Sequence, residues 1–141
     1  MYKSTRTNAF LVSIKNIINN LYSEGNPLDV HVTLVVSGQI ITGNIVSEEE
    51  YFNHELTSTW KQVYDEVIKK PRDEFNNLPD EEYDSKEVPE YLLQNYLFLK
   101  NAYYVNGDKF IPSSNNDGIP IQVRIADITA FNFGSLNISK T

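Results

Sequence analysis

Residues 30–46 read VHVTLVVSGQIITGNIV. Side chains alternate with period two from Val30 to Val36, which predicts a β-strand, and Ser37-Gly38 predicts the turn that follows it. A second strand then carries Gly43 in its middle, between the inward-facing Ile41 and Ile45. A glycine inside a strand marks a bend or a close approach of another backbone. We therefore interpret Gly43 as a structural candidate at which the sheet of a small barrel bends.

Strand patterns return in the second half of the chain. They run from Tyr96 to Tyr104 and from Ile119 to Phe133, and a short corner at Ala126-Asp127 divides the latter segment. Asn106-Gly107 predicts a further turn. The total is about five strands, which favours a mainly β fold with some α-helix. We predict a five-stranded barrel of the Sm-like or SH3-like kind.

A helix is predicted before the hairpin. Thr7 or Asn8 is suited to cap its start, and Gly25-Asn26-Pro27 ends it. Its apolar side chains have helical spacing and are expected to cover one open end of the barrel. These side chains are Phe10, Ile14, Ile17, Ile18 and Leu21.

A second helical segment is predicted as an insertion between strands two and three. Ser47 and Glu50 have the spacing of a capping box, and Pro71 is expected to end the helix. Its apolar stripe should pack on the barrel and consists of Phe52, Leu56, Trp60, Val63 and Val67. Residues 71–90 are expected to form an irregular, dispensable loop. We interpret residues 1–141 as a single domain, with residues 47–90 as an acidic insertion within it.

Charge and composition exclude several classes of function. The formal net charge is −7, which disfavours nucleic acid as a partner, because phosphate backbones reward clustered Lys and Arg. The absence of cysteine excludes disulfides and thiolate chemistry. No apolar run approaches the roughly 20 residues that span a bilayer. These features predict a cytoplasmic protein with no membrane span. The acidic block is either a solvated face or a charged docking surface.

The usual constellations of catalytic residues are missing from the sequence. His31 and His54 are the only histidines, and we expect neither of them to be a catalytic base or a metal ligand. No phosphate-binding glycine motif occurs. The sequence therefore predicts no enzyme, no catalytic residue, no metal and no cofactor.

Aromatic residues and one possible ion pair are the remaining candidates. Arg124 precedes Asp127 by three residues, so the two side chains either lock the corner together or leave Arg124 facing a ligand. Phe131 and Phe133 belong to a set of late aromatics that are either core residues or an interface. Trp60 is a further interaction candidate within the insertion.

Two family resemblances arise from these residues. The segment from Val32 to Gly38, with Gly43 downstream, resembles the first motif of Sm-like barrels, and Val123–Ile128 resembles the second. The Asp and Asn of the RNA pocket are absent, so RNA binding is not implied.

The closer resemblance is to the gas vesicle accessory protein U family. It is carried by residues 45–52, by residues 98–102 and by Arg124–Ile128, which Phe131 and Phe133-Gly134 follow. This resemblance implies a non-enzymatic module that acts through protein–protein contacts or self-association in vesicle assembly or clustering. The alternative is an oligomeric Sm-like protein that binds RNA or a small ligand.

Overall fold

Among the described residues, three α-helices lie between the second and third strands. A computed structural model describes residues 8–79, 95–113 and 116–134. In chain order the regular elements are α1 (Ala9–Ser23), β1 (Val30–Val36), β2 (Gln39–Val46), α2 (Glu48–Phe52), α3 (Lys61–Tyr64), α4 (Lys70–Asn76), β3 (Tyr96–Asn106), β4 (Lys109–Ile111), β5 (Ile119–Arg124) and β6 (Ile128–Phe133). The N-terminal helix and the helical insertion are therefore confirmed.

Over the described ranges the sheet has six antiparallel strands rather than the predicted five. Its order is β4-β3-β2-β1-β6, and β5 pairs with the first half of β3. The additional strand is β4, which returns along the end of β3 after a turn at Gly107-Asp108. With only three residues it is too short for a period-two pattern to reveal it.

The sheet is strongly curved. β5 and β6 lie at opposite ends of the pairing path, yet only the 3₁₀ turn Ile125–Asp127 joins them. Four strand spacings of about 4.8 Å would separate them by roughly 19 Å in a flat sheet, whereas three 3₁₀ residues rise only about 6 Å. In the described part of the chain β5 and β6 do not pair, so the hydrogen bonding gives an open sheet and not a closed barrel.

One core lies inside the curved sheet. Ile41 and Ile45, which were predicted to face inward, belong to the same buried cluster as Leu34 of β1 and Val123 of β5. Leu11 and Ile18 of α1 belong to this cluster, so the helix packs against the sheet; that it covers an open end of a barrel stays a prediction.

The buried face of α1 differs from the predicted stripe. Asn8 caps the helix and its Oδ1 accepts a hydrogen bond from the N–H of Leu11 at 3.1 Å. Leu11, Lys15 and Ile18 are buried, whereas Phe10 and Ile17 are more than half exposed. The helix is thus turned by about one residue from the expected face. The periodicity did not show this because Lys15 occupies an inward position.

The insertion is not one continuous helix, and here the prediction was wrong. After α2 the chain turns, and the Thr57 hydroxyl donates to the carbonyl of Tyr51. A 3₁₀ turn, α3, a π-helical turn (Asp65–Lys69) and α4 follow. Pro71 does not end the helix, because it lies in the first turn of α4, where its missing N–H costs little.

Two further expectations for the insertion also fail. Phe75 of α4 is buried, so residues 71–76 are not an irregular loop; residues 80–90 lie outside the described residues. Leu56, Trp60, Val63 and Val67 are 52–62% exposed rather than packed on the sheet. The break after α2 interrupts the helical spacing that was expected to continue the stripe from Phe52 onto the sheet.

Candidate association surfaces and a buried ion cluster

Glu48 is the centre of a buried ion cluster that joins α1 to the insertion. Its carboxylate lies 3.3 Å from Nζ of Lys15 and 2.9 Å from Nη1 of Arg72. The Tyr64 hydroxyl donates to Oε2 of Glu48, and Nη2 of Arg72 donates to that hydroxyl oxygen at 3.2 Å. The side chains of Lys15 and Glu48 are only 9% and 10% exposed.

The beginning of α2 places this carboxylate. Ser47 caps the helix, and its Oγ accepts from the N–H of Glu50 at 3.0 Å. The N–H of Glu48 donates to Oδ1 of Asn19 on α1 at 3.1 Å. The Glu50 side chain does not close a capping box, because it accepts from Nζ of Lys100 on β3 at 2.8 Å.

Charges in the ion cluster shift one another's pKa. Burial alone would raise the pKa of Glu48, but Lys15, Tyr64 and Arg72 outweigh burial and hold it below the usual 4.5. Burial lowers the pKa of Lys15 in spite of Glu48. Burial, with the neighbouring Glu48 charge, raises the pKa of Tyr64. At pH 7 the Glu48 carboxylate is therefore ionised and the Tyr64 phenol is neutral.

A groove opens between the insertion and the sheet, above the ion cluster. We call it the insertion groove; its volume is about 390 Å³. The apolar and aromatic residues of its wall are Phe52, Trp60, Val63, Tyr64, Ile68, Tyr96 and Phe98. Lys15, Glu48 and Arg72 are its charged lining residues, so its charged groups sum to +1.

A second apolar surface lies where α1 meets the edge strand β6. We call Phe10, Phe131 and Phe133 the phenylalanine cluster. The ring centroid of Phe10 lies 6.3 Å from that of Phe131 and 5.9 Å from that of Phe133. The centroids of Phe131 and Phe133 are 5.8 Å apart. Phe10 is 58% and Phe133 45% exposed. β6 pairs with β1 alone among the described strands, so its outer edge lacks a strand partner there.

One family match covers most of the described fold and both surfaces except Phe10. Residues 12–136 match the family described as gas vesicle protein GvpU-like. The chain belongs to this family. Neither the curated proteins nor the solved structures contain a match to the chain. The resemblance to the gas vesicle accessory protein U family is therefore confirmed, and membership implies an accessory role in gas vesicles. The match begins within α1, earlier than the sequence resemblance.

In this GvpU-like chain Gly43 lies where two strands approach closely. The register of β2 against β3 shifts between Thr42 and Asn44. A Cβ placed on Gly43 would lie 2.7 Å from Cβ and 3.0 Å from Cα of Ala102, and 3.3 Å from the carbonyl oxygen of Lys100. This position has no room for a side chain.

The other candidates of this GvpU-like chain occupy separate places. Arg124 and Asp127 form an exposed two-pronged ion pair at the 3₁₀ turn, with bonds of 2.9 and 2.8 Å. Trp60 is exposed beside the insertion groove, whereas Phe131 and Phe133 belong to the phenylalanine cluster. Over the described ranges, no group of three or more His, Asp or Glu side chains is arranged to hold a metal.

Sequence reasoning missed the ion cluster of this family member. Lys15, Glu48 and Arg72 lie far apart in the chain, and each has an ordinary explanation as a surface charge. One local signal was the position of Lys15, four residues after Leu11 and three before Ile18, which are the apolar residues that α1 buries. Residues with this spacing lie on the same face of a helix, so Lys15 is on the buried face.

Proposed function

We propose that this GvpU-like chain is a non-enzymatic association module of the cytoplasm that acts through protein–protein contacts in gas vesicle assembly or clustering. The observation that carries the proposal is the phenylalanine cluster beside the outer edge of β6. Its occupant is a protein of the gas vesicle or its assembly machinery, which family membership favours over other partners.

Exposure and charge support this choice of surface. Apolar side chains gathered beside an unpaired strand edge are typical of interaction sites. β6 contains no charged residue and no proline, the features that usually prevent an edge from pairing. Residues 47–90 hold 14 acids and 5 bases, a net of −9, whereas β6 and its surroundings in α1 are almost uncharged. The acidic charge of the chain is therefore concentrated in the insertion and not in β6.

Introducing a charge into the phenylalanine cluster should abolish association with gas vesicles. We expect Phe10→Asp and Phe133→Asp each to weaken binding by at least about tenfold, because a carboxylate resists burial against an apolar partner. Both side chains are about half exposed, so both variants should fold. The measurement is the fraction of protein that co-floats with purified gas vesicles, with circular dichroism as the test of folding.

Leu56→Asp is the matched control for these variants. Leu56 is 60% exposed and lies in the insertion, outside the phenylalanine cluster, so its variant should bind vesicles like the wild type. Undiminished binding by folded Phe10→Asp and Phe133→Asp would refute the proposal. Equilibrium sedimentation of the same variants tells whether the edge of β6 pairs with a second copy of the chain or with another protein.

We also propose that the curved sheet is an incompletely hydrogen-bonded relative of the Sm-like and SH3-like barrels. The support is the 3₁₀ turn that joins strands from opposite ends of the pairing path. The RNA-binding alternative gains no support, because the guanidinium of Arg124 in the Sm-like second motif is engaged by Asp127.

In the described ranges, no helix is both long and apolar enough to cross a membrane.

A further inference from the structure

We infer that the insertion groove is a binding site for an acidic peptide segment in which a large apolar side chain adjoins an aspartate or glutamate. This site is distinct from the phenylalanine cluster and does not depend on the vesicle association proposed above. The inference rests on three properties of the groove, namely its apolar wall, its charge and its size.

The wall of the insertion groove presents apolar surface that the rest of the described chain leaves uncovered. Trp60 is 62% and Val63 52% exposed, and Phe98 on the sheet side faces them across the groove. Large exposed apolar side chains that line a concave surface favour a bound apolar group. The volume of about 390 Å³ suits one or two large side chains.

The charged lining residues of the insertion groove favour a carboxylate as the second element of the ligand. Lys15 and Arg72 outnumber Glu48, although the chain as a whole is acidic. Arg72 is 27% exposed. Its Nη1 and Nη2 donate to Glu48 and Tyr64, and a guanidinium carries five N–H donors in all, so a carboxylate that enters the groove meets a partly exposed, multivalent donor group. A basic peptide would instead meet two cations.

Trp60 makes the inference directly testable, because it is the only tryptophan in the sequence and lies at the groove. The probe is the acetylated and amidated peptide Leu-Phe-Asp-Leu, titrated into the purified full chain. We expect a saturable change in Trp60 fluorescence. The matched peptide with Asn in place of Asp should bind at least about tenfold more weakly, because hydrogen bonds to a charged carboxylate are the stronger ones.

Two neighbouring valines provide the control for location. Val63→Asp adds a charge inside the insertion groove and should abolish binding of the peptide. Val67→Asp adds the same charge at a residue that is 58% exposed and does not line the groove, so binding should persist.

Three results would each overturn the inference: no saturable change in Trp60 fluorescence, equal affinity for the Asp and Asn peptides, or binding that survives in a folded Val63→Asp variant. None of them bears on vesicle association, because this assay contains no vesicles.

Discussion

Replacing Glu48 with glutamine is expected to lower the free energy of unfolding by about 3–5 kcal/mol. Glutamine keeps the size of the side chain but removes the negative charge that faces Lys15 and Arg72. Lys15, whose side chain is 9% exposed, would then remain buried without its counter-charge. A buried charge that loses its partner is costly because it has given up its hydration and regains nothing. Chemical denaturation at neutral pH measures the change.

Glu49→Gln separates the ion cluster from a general effect of charge. Glu49 is exposed in the same first turn of α2, and its substitution changes the net charge by the same amount. Its effect should stay within about 0.5 kcal/mol, as for most surface substitutions. Equal losses in the two variants would mean that the helix dipole or net charge, and not the buried cluster, accounts for the effect.

The stability difference between the wild type and Glu48→Gln should also depend on pH. Burial raises the pKa of Glu48, but the cluster outweighs this and keeps the folded-state pKa below 4.5. The carboxylate therefore contributes stability that is fully present above the unfolded-state pKa and is lost as pH falls through the folded-state pKa. We expect a constant difference from about pH 6 to 8 and a decreasing one below about pH 4.5. A difference that grows in acid would contradict this assignment.

The sheet was the most predictable part of the fold. In β1 every second side chain enters the core, and in β2 Ile41 and Ile45 do so, so the period-two pattern marks the inward face. Thr42 and Val46 on the other face of β2 are buried as well. The 3₁₀ corner and the turn after β3 depend on residues that are adjacent in the chain, although that turn lies at Gly107-Asp108, one residue later than predicted. By contrast, β4 is held by pairing with β3 and has no pattern of its own.

The insertion was the least predictable part, because the positions of its helical segments are determined by contacts between residues that are distant in sequence. A single helix would have placed Phe52, Trp60 and Val63 on one face. Instead the chain breaks after α2, and Phe52 stacks on Tyr64 with ring centroids 4.3 Å apart. This arrangement brings the Tyr64 hydroxyl and Arg72 to Glu48. The hydrophobic periodicity of the sequence cannot reveal such a network, because its residues are not separated by a regular spacing along the chain.

Gly43 should tolerate no side chain, and Gly43→Val is expected to destabilise the protein by about 3 kcal/mol. The backbone of Gly43 does not have a positive φ, so valine, a good strand residue, meets no conformational penalty there. The cost is steric, since a Cβ at this position would lie 2.7 Å from Cβ of Ala102. The backbone of β3 is closely approached at Gly118 as well, where an added Cβ would lie 2.6 Å from the carbonyl carbon of Asn101 and 2.8 Å from the nitrogen of Ala102. Thermal or chemical unfolding measures the loss.

A double-mutant cycle tests whether this contact is the cause. Gly43→Ala should destabilise the wild type, and Ala102→Gly should recover part of that loss in the Gly43→Ala background because it removes the nearest atom. The recovery is incomplete, since Cα of residue 102 and the carbonyl oxygen of Lys100 stay within 3.3 Å. Contacting residues typically show coupling energies of about 0.5–3 kcal/mol. Additive effects of the two substitutions would mean that β2 and β3 can separate there, and that the glycine serves the bend of β2 rather than the close approach of its neighbour.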